Sequence, residues 1–119
     1  MTYIQMIAII FLIWLIASKF IPAKGVKQIT GETLKSQLND KNKQYIDVRT
    51  PREYNHGHIE GFKNIPLKKL RRERDTLNKD QEIIVICHTG IRSMDACKRL
   101  KRYGFKHLTN VKNGLVDFQ

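Results

Sequence analysis

Cysteine is scarce in this chain: Cys87 and Cys97 are the only two among 119 residues, too few for a disulfide framework. Nothing therefore demands an oxidising compartment. Metal-binding spacings are missing as well. His56, His58 and His88 form no helical His-x3-His pair and no Cys-x2-Cys exists, so no resident metal is expected. Acidic charge is also in short supply, with 11 Asp and Glu against 22 Lys and Arg, a net +11. That balance favours anionic partners. Basic charge alone gives nucleic acid only salt-sensitive binding, and no base-reading element is recognisable, so nucleic acid is not an expected partner. Finally, no Lys or Arg precedes the apolar N-terminal stretch, and its flank offers no clean small-x-small site. A cleaved secretory signal is therefore not the expected reading.

What is present at the N-terminus is a segment, 3–21, apolar apart from Gln5, Ser18 and Lys19. A spanning helix wants about 20 residues, so the segment just qualifies as an uncleaved transmembrane anchor over 1–22. Lys19, Lys24 and Lys27 all follow it, which places the remainder on the cytoplasmic side of a single-pass cell-membrane protein. Pro22 and Gly25 punctuate a short linker. Residues 23–119 then form one domain, large enough to bury about 60–70% of its unfolded surface.

The centre of that domain is Cys87-His88-Thr89-Gly90-Ile91-Arg92-Ser93. Before it, Glu82-Ile83-Ile84-Val85-Ile86 reads as a buried strand; after it, Ala96, Leu100 and Tyr103 mark one apolar face of a helix over 94–103. A cysteine placed where a strand ends and a helix begins faces amides without intrahelical partners and the positive end of the helix dipole. A thiolate is the form such a position favours, the more so with Arg92 beside it. Gly90 permits the backbone angles of a tight loop. The stretch reads as an anion-binding cradle around a nucleophile, with Ser93 as helix cap and donor.

Cys-x4-Arg after a strand, together with Tyr45-Ile46-Asp47-Val48-Arg49-Thr50-Pro51-Arg52-Glu53-Tyr54 and Gly57-His58-Ile59-Glu60-Gly61-Phe62-Lys63-Asn64-Ile65-Pro66, resembles the rhodanese-like sulfurtransferase family over residues 25–118. The resemblance implies an α/β fold, a small mostly parallel sheet flanked by helices, here preceded by the anchor. It implies that Cys87 takes a sulfane sulfur from thiosulfate or a persulfide donor and passes it, through a Cys87 persulfide, to a thiophilic acceptor. No cofactor beyond that covalent intermediate is implied. Residues His88, Thr89, Gly90, Ile91, Arg92 and Ser93 would bind a small anionic donor, with Arg92 either orienting it or bracing the loop. Asp47, Arg49 and His58 would support the site structurally. Rhodanese-like phosphatases carry Cys-x5-Arg, so the four intervening residues here resemble the sulfur-handling branch. The alternatives are a membrane-tethered binding or sulfur-relay module without thiosulfate turnover and, behind it, a phosphatase.

Around this centre the sequence predicts a strand over 26–30, a short helix from Thr30 or Gly31 to Leu38, a strand over 44–48, and a helical turn opening at Pro51. A single helix is expected over 67–77, carrying Lys68, Lys69, Arg71, Arg72 and Arg74; this solvated face could meet anionic lipid or an acidic protein partner. Cys97 is either a resolving thiol or a small apolar residue facing inward. Phe62 stands where the family has a small residue and could alter the pocket. A last strand is expected over 107–111, and the chain's early stop predicts abbreviated packing after it.

Overall fold

The computed structural model describes residues 2–18, 21 and 23–118. Its elements are α1 (Tyr3–Ser18), β1 (Lys27–Ile29), α2 (Gly31–Gln37), β2 (Gln44–Asp47), α3 (Pro51–His56), β3 (Lys63–Asn64), α4 (Leu70–Glu73), β4 (Ile83–Ile86), α5 (Ile91–Arg102) and β5 (Leu108–Val111). Single 3-10 turns at Leu67–Lys69 and Arg74–Thr76 flank α4, and another follows β5 at Gly114–Val116.

The five strands form one parallel sheet in the order β1-β5-β4-β2-β3. β4 lies in its middle, which explains the unbroken run Ile83-Ile84-Val85-Ile86: all four side chains are fully buried, as a strand covered on both faces requires. Pleating divides them. Ile83 and Val85 join Cys87, Ala96, Cys97, Leu100 and Leu70 in the core under α4 and α5. Ile84 and Ile86 join Leu34 of α2, Phe62 and Val111 in the core on the opposite face. Each of the Ile, Val, Leu and Phe side chains contributes about 1.5–3 kcal/mol by burial. The α/β expectation, with helices on both faces, is met.

Several local expectations are revised. The helix over 67–77 is three pieces, with only Leu70 fully buried. Pro66 starts it, and cations three and four apart, such as Lys68 with Arg71 and Arg72, repel along any continuous helix. β3 was not foreseen, since a two-residue strand has no readable period. α5 begins three residues earlier than periodicity suggested, because Gly90, at φ 95°, turns the chain directly into the helix. The C-terminal packing is not abbreviated: the Gly114–Val116 turn docks under the sheet edge, and Phe118 packs into the α2-side core beneath Lys35.

The expected transmembrane span is not supported. α1 has 16 residues, about 24 Å at 1.5 Å per residue, and among the described residues no helix is long and apolar enough to cross a membrane. Lys19, Phe20 and Pro22, on which part of that expectation rests, lie outside the described residues. α1 is apolar on every side and buries nothing against the domain.

Candidate active site

Cys87 follows the last residue of β4, so the central strand delivers it to the carboxyl edge of the sheet, where binding crevices of open α/β sheets lie. Its side chain is fully buried. The Gly90 amide donates to Cys87 Sγ at 3.0 Å, and Ser93 Oγ lies 3.3 Å from the sulfur, in reach for its hydroxyl to donate to a thiolate. His88 and Thr89 are exposed above, while Ile91, Arg92 and Ser93 form the first turn of α5. Ser93 is not the helix cap. Gly90 occupies that position, without any side-chain cap bond, and the Ser93 hydroxyl turns to the sulfur instead.

The loop is clamped from behind by the C-terminal turn. Leu115 N–H donates to the Cys87 carbonyl at 2.9 Å and Val116 N–H to the His88 carbonyl at 3.2 Å. With those carbonyls held by the turn, the amides of the same trans peptides point the opposite way. Gly114 makes the approach possible: a Cβ there would collide with the Cys87 carbonyl oxygen and sit 2.7 Å from that of His88. Asn110 of β5, itself buried, adds a bond from its Nδ2 to the Gly90 carbonyl at 3.4 Å.

Asp47 and Arg49 form a buried ion pair at the end of β2, Nη2 to Oδ2 at 2.8 Å. The Arg49 guanidinium also donates to the carbonyls of Glu53 and Gly57, at 3.4 and 2.8 Å, and so ties α3 to the sheet. Losing one partner of such a pair strands a buried charge, at about 3–5 kcal/mol. His58 packs on the Tyr54 ring, 3.7 Å between centroids, with Nδ1 2.9 Å from the Tyr54 carbonyl. Phe62 leaves the site alone, buried on the α2 side against Tyr45.

The residue that sequence reasoning missed is Glu53. Its carboxylate holds Arg92 through two parallel bonds, Nη1 to Oε1 at 2.7 Å and Nη2 to Oε2 at 2.8 Å. Glu53 is also the reciprocal half of the capping box that starts α3: Thr50 N–H and Oγ1–H donate to Oε1, and Glu53 N–H donates back to Thr50 Oγ1. Thr50-Pro51-Arg52-Glu53 carries that signature in the sequence. The Arg92 guanidinium holds the Glu53 carboxyl down at about 2, and Glu53 in turn raises Arg92. An exposed ion pair is worth about 0–1 kcal/mol, but this one is bidentate and its acid is fixed by the cap. Arg92 is therefore paired with Glu53 in this structure.

Cys97, facing the α5-side core, is pushed up to about 12, chiefly by burial and secondarily by Cys87. Both cysteines are free. A thiol so far from ionising lacks the thiolate that a resolving cysteine needs.

The structure thus presents a buried cysteine at a strand-to-helix junction of a five-stranded parallel sheet, with one loop amide and one hydroxyl at its sulfur, the kind of site that a covalent nucleophile occupies. The model of the rhodanese-like domain matches residues 30–119, and the chain belongs to that family. YrkF of Bacillus subtilis, named as a candidate sulfur carrier protein, is 36% identical over 97 residues, 81% of this chain; the chain spans only 52% of YrkF. YtwF of the same organism, named as a candidate sulfurtransferase, is 35% identical over 95 residues, covering 79% of this chain and 91% of YtwF. The crystal structure of a rhodanese-like domain protein from Staphylococcus aureus superposes with a TM-score of 0.73 at 30% identity, covering 79% of this chain and 92% of that one. Relatives named for sulfur transfer and carriage support a rhodanese-type transferase role at the level of the family.

Proposed function

We propose that the chain is a sulfurtransferase working through a persulfide on Cys87. The observation that carries this reading is the environment of Cys87 Sγ, with the Gly90 amide at 3.0 Å and the Ser93 hydroxyl at 3.3 Å. The Cys87 thiolate attacks the outer sulfur of thiosulfate or of a persulfide; a new S–S bond forms, the donor's S–S bond breaks, and sulfite or a thiolate leaves with the bonding pair. The acceptor, a cellular thiol or cyanide in an assay, then attacks the outer sulfur and Cys87 departs as thiolate. Splitting the transfer this way is nucleophilic catalysis. The donors lining the loop steady the anionic persulfide as an oxyanion hole steadies developing charge. No resident cofactor is needed. Asp47, Arg49 and His58 act at a distance, by holding the segment that carries Glu53.

Attachment to a membrane belongs to the same proposal. Every described residue of α1 from Tyr3 to Ile16 is exposed and none packs on the domain, so lipid is the covering this helix fits, with Lys24 and Lys27 on the cytoplasmic side. The basic segment around α4 is free to meet anionic headgroups or an acidic protein partner.

Intact mass of the full-length chain in mild detergent, before and after thiosulfate or a small persulfide, tests the chemistry. Gain of one sulfur atom on wild type, none on Cys87→Ala, and thiocyanate on adding cyanide are expected. Absence of any gain from either donor would sink the reading.

A further inference from the structure

Arg92 is the only Lys or Arg between residues 88 and 97, the loop after Cys87 and the first half of α5. Its charge is already matched by Glu53, through bonds of 2.7 and 2.8 Å. Glu53 cannot swing aside freely, because its Oε1 also accepts from the Thr50 amide at 3.2 Å and the Thr50 hydroxyl at 3.0 Å, and Arg49 grips the Glu53 carbonyl at 3.4 Å. Asp95, the only acid of α5, is paired with Arg99 at 3.3 Å, and Lys98, which lines one cavity with Ile91, Arg92 and Asp95, donates from Nζ to the Ser18 carbonyl at 3.4 Å, at the end of α1.

The two donor classes make different demands on such a mouth. With thiosulfate, a monoanionic thiolate meets a dianion, so three negative charges converge before sulfite leaves with two of them. With a protonated persulfide, R–S–SH, the thiolate meets a neutral molecule, and Cys87–S–SH and R–S⁻ are formed. Only the first reaction needs an unmatched cation at the mouth.

Resting on the sulfurtransferase reading, we propose that Glu53 is the specificity-determining residue of the Cys87 site. By fixing and neutralising Arg92 it selects persulfide donors of low charge over the thiosulfate dianion.

The test uses Glu53→Gln, since the glutamine carbonyl oxygen retains the capping-box acceptor while its NH2 group removes the charge and the second bond to Arg92. Rates of Cys87 loading are followed by intact mass on the full-length chain, with thiosulfate and with 2-hydroxyethyl persulfide, on wild type and variant. Removing the charge that matches Arg92 is expected to move the thiosulfate-to-persulfide rate ratio by about tenfold or more toward thiosulfate, and added salt should shrink that shift. A ratio unchanged within twofold, or moved toward the persulfide, overturns the assignment while leaving sulfur transfer intact. Failure of wild type to load from either donor overturns both, and circular dichroism with the urea midpoint of the variant separates loss of fold from loss of selectivity.

Discussion

At the scale of single residues, the site depends on what each side chain is already bonded to. Arg92 could be nominated from Cys-x4-Arg, but whether it greets a donor or holds the loop turned on a carboxylate 39 positions earlier in the chain. The pair also has a signature in stability. Glu53 sits at about 2 when folded, below an ordinary value of 4.5. A depressed carboxyl stabilises the fold above its unfolded value and loses that contribution as pH falls through its folded one. Wild type should therefore exceed Glu53→Gln by no more than about 1 kcal/mol at neutral pH, given its exposure. The advantage should fade between about pH 4.5 and 2, read as converging urea midpoints. Midpoints that stay parallel through that window would deny the pair this role. Cys97 belongs to the same scale: its type left two readings open, and its burial beneath α5 favours the inert one.

Among the elements, the turn Gly114–Val116 does more than end the chain, since it receives the carbonyls of Cys87 and His88. A methyl group at residue 114 has no space against those two oxygens, and φ of 56° adds strain for any residue with a Cβ. Gly114→Ala is expected to cost about 1–3 kcal/mol of stability and to slow Cys87 loading by about a hundredfold, as misplacement near 1 Å does. Far-ultraviolet circular dichroism should stay native. Loading at the wild-type rate in a folded Gly114→Ala protein would show that the turn does not shape the loop. Local sequence does not reveal this role of Gly114, because a contact between that turn and a loop 28 residues earlier has no local period. By contrast α2, β2, β4 and β5 were all legible to within one or two residues, each from its own apolar spacing.

On the scale of the whole molecule, the chain divides into a domain with two complete cores and a helix that contributes to neither. Removing residues 1–24 should leave thermal unfolding of the domain within a few degrees of the full chain, since none of the described residues among them is buried. It should also abolish flotation with phospholipid vesicles, which the full chain should show. A truncated domain that floats equally well would assign membrane binding to the basic surface rather than to α1. Unfolding of the truncated domain at ambient temperature would show that α1 supports the fold.

By itself the sequence determined most of the strands and helices, the strand-to-helix position of Cys87 and the apolar character of the N-terminus, because period, β-branching and hydropathy are written locally; the parallel frame came from the family resemblance. Only the tertiary structure decided that Arg92 is engaged by Glu53, that Asp47 and Arg49 hold α3, and that the C-terminal turn aims the loop. Those are pairings between charges and backbone groups distant in the chain. Residue type says that such groups need partners, and the folded geometry alone says which they get.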